Sequence, residues 1–225
     1  ALKKEYKEST INVSDRFING KVTQLLKQFD KYEEDMDLLK KFALINEDER
    51  SKNENNINFL TNKITKIKTE RFKKFYPLKN ASYQGTFGDH RTYKYNGKGI
   101  SESYHLGIDL ASVRKAPVIA SNDGTVIFVG DNGIYGNMLV LDHGLGIYSL
   151  YGHCSKILVN IGDEVKVGSI VARTGNTGLS LGDHLHFGML VQGIEVRPDE
   201  WMSSEWINRN IFNVIKNAKK LIQGI

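Results

Sequence analysis

Two histidine-bearing segments, His105-Leu-Gly-Ile-Asp109 and His184-Leu-His186, hold the residue types in this chain that could do chemistry. Imidazole and carboxylate groups at these spacings suit a metal site. His184 and His186 lie two apart in a segment with strand character, so both leave the same face and can converge on one small volume. His105 and Asp109 lie four apart, which on a fully extended strand is more than roughly 10 Å. They can share an ion only if the chain turns between them, and Gly107 permits a turn. Two imidazole nitrogens and one carboxylate oxygen leave a fourth tetrahedral position for water, the open arrangement of catalytic zinc. No thiolate joins the set, which argues against a closed structural site. Zinc acidifies water and polarises carbonyl groups. The spare imidazole of the His-x-His pair is placed to accept a proton. His153, at the end of a predicted strand, offers a second imidazole for proton transfer or oxyanion stabilisation. Either short motif alone is weak; together, inside a β-rich stretch, they favour metal catalysis.

The elements that must position these residues follow from texture. The only prolines are Pro77, Pro117 and Pro198, and two of them mark changes. Before Pro77 the chain is charge-dense, poor in glycine and helical in period. Val22, Leu25, Phe29, Tyr32, Met36, Leu39 and Ala43 recur at three- and four-residue spacing, and Ile57, Leu60, Ile64 and Ile67 continue it. The intervening seam positions are Asn46, Arg50 and Asn53, which do not bury cheaply, so two helices joined by a polar turn near 46–54 are expected, as an antiparallel hairpin; one long helix with a polar middle is the alternative. Its apolar stripe would pack on the chain's own body or serve as an arm for a homo- or heterodimer. From Pro77 to Pro198, short β segments alternate with glycine turns. Val118–Ser121 and Thr125–Val129 flank Asn122-Asp123-Gly124, Met138–Asp142 and Ile147–Tyr151 flank Gly144-Leu-Gly146, and His184–Val191 and Ile194–Val196 flank Gln192-Gly193. Such spacing without intervening helices means antiparallel sheet. After Pro198 the helical period returns in Trp206, Ile207, Ile211, Val214, Ile215, Ala218, Leu221 and Ile222, with Ser203 or Ser204 as N-cap. The expected organisation is α+β: a helical region 1–76, a β domain 77–198, and an amphipathic helix in 199–225.

Composition narrows the function classes. With 225 residues, 40% hydrophobic and 25% charged, the chain can fill one core plus an appendage, or two small domains. The net charge of +5 favours anionic surfaces. No basic cluster is interleaved with exposed aromatics, so a nucleic-acid partner is not expected. The single cysteine, Cys154, excludes an intrachain disulfide. No run of eighteen apolar residues occurs, so no spanning helix is expected. The sequence starts at Ala1 with no signal-like segment, as in a trimmed or processed product whose export signal or membrane tether lies elsewhere.

Residues from about Phe87 to Pro198 resemble the lysostaphin-like (LytM-type) zinc endopeptidases of peptidoglycan. The stretches that carry this are His105-Leu-Gly-Ile-Asp-Leu-Ala111, Ala116-Pro-Val-Ile-Ala120 with Asp123-Gly-Thr-Val126, and Tyr135-Gly-Asn137. They continue through Asp142-His-Gly144, Tyr148-Ser-Leu-Tyr-Gly-His153, Gly162-Asp-Glu-Val-Lys-Val-Gly168, Gly175-Asn-Thr-Gly178 and Gly182-Asp-His-Leu-His-Phe187. The resemblance implies an antiparallel catalytic domain with one Zn2+ held by His105, Asp109 and His186, and with His153 and His184 as catalytic histidines. It implies hydrolysis of peptide cross-links, at the D-alanyl–diaminopimelate bond, in a periplasm or cell envelope. The helical flanks are similar, more weakly, to those of the cell-shape-determining endopeptidases of curved and helical Gram-negative bacteria. Lys115-Ala116 replaces a common Gly-Thr, Asp183 stands where Pro is frequent, and Cys154 where Leu is usual; none removes a ligand. Asp183 is expected to add negative charge beside the site, Cys154 to be a buried apolar residue, and His143 to be structural. His90 has no assigned role. Arg91, Tyr93, Tyr95 and Tyr104 are candidates to line the cleft. Many relatives are held inactive by a segment that covers the cleft or supplies a fourth zinc ligand, a role expected here for residues 1–75 from their position alone.

Two other function classes compete. A non-catalytic scaffold that binds wall and pairs with a homologous hydrolase is the alternative that the heptad-like N-terminal region suggests. A biotinyl or lipoyl carrier is suggested by the hairpin texture of 159–173, but the Gly-Asn-Thr-Gly turn at 175–178 lacks the modifiable lysine such domains need.

Overall fold

The computed structural model describes residues 5–66 and 72–224. Strand β1 (Glu8–Asn12) precedes two helical runs, α1 (15–28) and α2 (38–61), each widened by one π turn, at Ile18–Val22 and Leu44–Glu49. Next come β2 (Ser82–Gly85), β3 (His90–Tyr95), β4 (Lys98–Tyr104), β5 (Ile108–Ala111), β6 (Pro117–Ile119), β7 (Gly124–Asp131), β8 (Asn137–Asp142) and β9 (Ile147–Gly152). The remaining strands are β10 (Lys156–Ile157), β11 (Glu164–Val165), β12 (Ile170–Arg173), β13 (Leu185–Val191) and β14 (Ile194–Val196), followed by α3 (Pro198–Trp201) and α4 (204–223). The class is α+β, dominated by antiparallel sheet with helices towards both ends.

The large sheet runs β11-β7-β8-β9-β13-β5-β2, with β14 beside β13. One half of β13, Leu185 to Phe187, pairs with β5, and the other half, Met189 to Val191, pairs with β14. Two smaller sheets flank it, β10-β12-β6 and β1-β3-β4. In the latter, β1 runs parallel to β3, so the region expected to be wholly helical also contributes a strand. β3 and β4 turn over Asn96-Gly97, both with positive φ, as a type I′ hairpin requires. β6 and β7 flank the Asn122-Asp123-Gly124 turn as expected, yet enter different sheets. Between them the Asn122 side-chain amide exchanges two hydrogen bonds with the Lys73 backbone, both 2.8 Å.

Alternation along β13 separates two cores. Leu185, Phe187 and Met189 enter one cluster with Ile108, Leu110, Leu139, Leu141, Tyr151, Val118, Val171, Phe75, Trp201 and Ile207. Leu190 enters the other with Met138, Val140, Tyr148 and Leu150, and there Val22, Leu25, Leu26, Phe42, Ile45 and Ile57 of α1 and α2 cover the sheet. The apolar stripe of the N-terminal helices is thus packed on the chain's own sheet. Because His186 shares a face with Leu190, α1 and α2 occupy the same sheet face as the histidine cluster, farther along the strands.

The helical region departs from expectation in one respect. The break falls at 29–37, where Asp37 caps α2 by accepting from the Leu39 and Lys40 amides. The polar stretch 46–54 lies inside α2. Asn46 is buried and Asn53 half-buried, each with a partner: Asn46 donates to Ser101 Oγ at 2.8 Å, and Asn53 Oδ1 accepts from the Ile134 amide at 2.8 Å. A polar group buried with its hydrogen bonds made carries little net penalty, so these residues need no solvent-facing turn. α2 ends at Thr61, leaving Ile64 outside the helix; Ile67 lies outside the described residues. Replacing Asn53 by Ala strands the amide of Ile134, a residue only 4% exposed. It should lower stability by about 1–3 kcal/mol, read as a lower urea midpoint with unchanged slope. Asn55→Ala, on the exposed side of α2, should stay within about 0.5 kcal/mol of the parent. Equal midpoints would contradict this account of the seam.

Candidate metal centre

β5 and β13 are paired so that Asp109 stands directly opposite His186. His105 lies just ahead of β5, held by its backbone: its amide donates to Asp89 O at 3.0 Å and its carbonyl accepts from Gly88 N at 2.8 Å. Three donor atoms converge. His105 Nε2 is 3.0 Å from Asp109 Oδ1 and 3.1 Å from His186 Nδ1, and His186 Nδ1 is 3.1 Å from Asp109 Oδ1. The chain's approach to β5 permits this, but not through a left-handed Gly107, whose φ is not positive. Glycine is needed there because a Cβ would lie 2.6 Å from His186 Nε2. Gly85 of β2 meets the same demand from the other side, since a Cβ there would lie 2.5 Å from Asp109 Oδ2.

The donor set fits a cation. The Nδ1 of His105 lies 2.9 Å from the Thr86 carbonyl, which can only accept, so this nitrogen carries the proton and Nε2 presents a lone pair. That lone pair faces a carboxylate oxygen and a second imidazole nitrogen, an excess of acceptors that a shared positive charge resolves. The spacings are a little under the roughly 3.3 Å edge expected for a tetrahedron of zinc-nitrogen and zinc-oxygen bonds. Two imidazoles with one carboxylate and no thiolate suit zinc among the common ions. Among the described residues this is the one group of three or more such side chains whose ligand atoms all lie within 4.8 Å of one another.

Electrostatics separates the neighbours. Burial would raise the Asp109 pKa, but its polar contacts with the imidazoles of His105, His184 and His186 outweigh it and hold the carboxyl well below its usual range. Burial pushes His186 down to about 4 despite the Asp109 hydrogen bond. His184 contributes Nε2 at 3.5 Å from Asp109 Oδ1, with Nδ1 2.9 Å from the Gly182 carbonyl. Burial opposes its charge, but Asp109, through its hydrogen bond and its charge, together with Gly182 leaves it raised. His153 lies with its ring 4.7 Å from that of His184 and 5.9 Å from that of His186. Its Nδ1 is 2.8 Å from Thr177 O, and its φ of 61° is in the sparsely populated left-handed region. Burial first, then the His184 and His186 charges, lower its pKa well below the usual value.

The structure brings together His105, Asp109, His153, His184 and His186. It separates others. His143 is fully buried on the opposite core, bonded to Asp123 O and Ser149 Oγ at 2.7 Å each. Cys154 is buried, and that burial raises its pKa to about 12. Tyr93 is buried against Phe42, and Tyr104 stacks on His90, which pairs with Glu102. Tyr95 is half-buried against the α1–α2 cluster. Arg91 is the cleft candidate that reaches the cluster: its Nη2 is 3.4 Å from Asp109 Oδ2 and its Nε 3.2 Å from Asp89 Oδ2. Asp183, next to His184 in sequence, spends both carboxylate oxygens on neighbouring loops. Its Oδ2 accepts from the Lys115 amide at 3.1 Å and its Oδ1 from Thr174 Oγ1 at 2.6 Å, while Thr174 Oγ1 accepts from the Ala116 amide at 2.9 Å. The two departures at Lys115-Ala116 and Asp183 are therefore partners in one network. Sequence reading placed Tyr135 in a matching stretch but gave it no role at the site; its ring lies 5.3 Å from that of His186 and its carbonyl accepts the His153 amide. Sequence reading passed over Gly85. No hydrogen bond or ion pair of the clustered side chains comes from residues 5–66.

A sheet that gathers two imidazoles and a carboxylate beside two further imidazoles defines a metallohydrolase-type centre. Residues 103–198 match the model of Peptidase family M23, and the chain carries a domain of that family. It is 38% identical over 125 residues to an uncharacterized metalloprotease of Haemophilus influenzae, covering 55% of this chain and 26% of the relative. It is 37% identical over 132 residues to the peptidoglycan DD-endopeptidase ShyB of Vibrio cholerae, covering 58% of this chain and 30% of that protein. The chain thus spans about a quarter to a third of the length of these relatives. The crystal structure of a zinc-containing peptidase from Vibrio cholerae aligns with a TM-score of 0.52 at 35% identity, covering 60% of this chain and 40% of that one.

Two outcomes test this geometry. Gly85→Ala should leave a folded protein whose zinc affinity, read by chelator competition, is lowered about 10-fold or more. Gly99→Ala, whose Cβ would meet only Thr92 Cγ2 at 4.0 Å, should leave affinity unchanged; equal affinities in the two variants would refute the packing argument. His143 is held at about 4 against 6.5, so between those values the unfolded chain binds the extra proton. Its contribution to stability is complete above pH 6.5 and is lost as pH falls towards 4. His143→Gln should flatten the acid limb of the stability curve by up to about 1.4 kcal/mol per pH unit, measured by urea unfolding from pH 7 to 4.

Proposed function

We propose that the protein is a zinc-dependent endopeptidase that hydrolyses peptide cross-links of bacterial peptidoglycan, at the D-alanyl–diaminopimelate bond, in the cell envelope. The observation that carries this is the meeting of His105 Nε2, Asp109 Oδ1 and His186 Nδ1 within 3.1 Å of one another. The named activity of the Vibrio relative supports the substrate class. His105, Asp109 and His186 would hold the ion, which when bound supplies Lewis acidity towards a scissile carbonyl and towards water.

The chain's own residues would manage the protons. His153 and His184 both commit Nδ1–H to a backbone carbonyl, Thr177 and Gly182 respectively, so each offers Nε2. Their surroundings push them apart, and such separation assigns acid and base. His153, whose pKa is lowered, would accept a proton at Nε2; His184, whose pKa is raised, would donate from Nε2 to developing negative charge. Arg91 fixes the far oxygen of Asp109, keeping Oδ1 turned to the ligand cluster.

Digestion of purified sacculi, with mass spectrometry of the muropeptides and metal analysis, tests the reading. Zinc-loaded protein should convert cross-linked dimers to monomers. Asp109→Ala should lose the metal and the activity together. His153→Ala and His184→Ala should keep the metal and lose about 10²–10⁴ in rate. Intact dimers after incubation with the metal-loaded parent would overturn it.

A further inference from the structure

α4 continues past the body beyond a π turn at Asn208–Phe212. At 100° per residue over the regular turns that follow, Val214, Ile215, Ala218, Leu221 and Ile222 share one stripe. Ile207 is 1% exposed within the core beside Trp201, and Ile211 and Phe212 pack against the same cluster. Beyond this point the stripe is uncovered: Val214 is 58% exposed, Leu221 83% and Ile222 85%. The rest of the helix is basic. From Trp206 to Gln223 it carries Arg209, Lys216, Lys219 and Lys220 and no Asp or Glu, and the three lysines are exposed.

We infer that α4 is a docking element for an anionic lipid surface, lying in the interface with Leu221 and Ile222 among the upper acyl chains and its lysines among the headgroups. An amphipathic helix whose charged residues are all cationic meets both halves of that chemistry, burial of apolar area and attraction to negative headgroups. A second copy seated on the same stripe would instead bring two rows of lysine alongside one another with no acidic residue between Trp206 and Gln223 to offset them. The described residues contain no helix long and apolar enough to cross a membrane, so this contact is peripheral and reversible. The docked half of α4, through Ile207 and Trp206, fixes the helix to the sheet side opposite α1 and α2.

Co-sedimentation of the full chain with vesicles tests this, and the reading does not depend on the hydrolytic one. Binding to vesicles of phosphatidylcholine with about one-third phosphatidylglycerol should be at least 10-fold tighter than to phosphatidylcholine alone, and weaken steeply with salt. The double variant Leu221→Glu, Ile222→Glu should lose at least 10-fold of this binding. The triple variant Lys216→Gln, Lys219→Gln, Lys220→Gln should lose the preference for the anionic lipid. All these side chains are exposed, so the parental thermal unfolding profile should persist and confirm that the variants fold. Absence of binding to anionic vesicles at low salt overturns the inference. So does a vesicle-free dimer that the Leu221→Glu, Ile222→Glu change dissociates, since that assigns the stripe to a second copy.

Discussion

The contact between Asp109 and the imidazoles around it is the constraint on which the rest of the centre depends. A carboxylate 14% exposed at its side chain would normally be driven towards its neutral form by burial. Here Oδ1 receives His105, His184 and His186 while Oδ2 is held by Arg91, and the charge survives. This requires that β5 meet β13 in one register, with Asp109 opposite His186. A slip of one residue would send the aspartate side chain to the core face. The apolar residues alternating with it, Ile108 and Leu110 at 0% and 2% exposure, exclude that slip, because it would exchange them for a charge.

Around this register the backbone does much of the positioning. The carbonyls of Thr86, Thr177 and Gly182 each fix one imidazole through Nδ1, which sets the tautomer and leaves Nε2 free. Two of these carbonyls belong to the loop between β12 and β13, and that loop is braced. Thr177 Oγ1 bonds to the Asn137 amide and the Cys154 carbonyl, and Lys21 of α1 reaches the Asn176 carbonyl at 2.6 Å. The N-terminal helices therefore share the face of the sheet with the centre and touch the loop that carries His184, while contributing no hydrogen bond or ion pair to the clustered side chains.

The network of Lys115, Thr174 and Asp183 shows how the centre tolerates its departures from the family pattern. Lys115 takes a positive φ of 55°, a conformation that costs a non-glycine residue energy. Asp183 and Thr174 catch the amides exposed by that turn. The loop ahead of His184 is thus pinned by side chains rather than by a proline's fixed backbone.

The sequence alone determined the residue types of the centre, the antiparallel character of the β stretch, most strand positions from β8 onward and the stripe of α4. Those features are local: alternation, glycine turns and the His-x-His spacing are written within a few residues. The Asn96-Gly97 turn was equally local and could have revealed β3 and β4. Other features were decided only in three dimensions. Asn46 and Asn53 read as solvent-facing because a polar residue is costly to bury alone, and their partners, Ser101 and Ile134, lie far away in the chain. Gly85 and Gly107 are glycines because other strands' side chains press against them, and Asp183 finds its partners at Lys115 and Thr174, which lie outside its own loop tip. A sequence names its donors and acceptors, but which of them meet depends on strand register and loop closure, and those are set by the packing of the whole sheet.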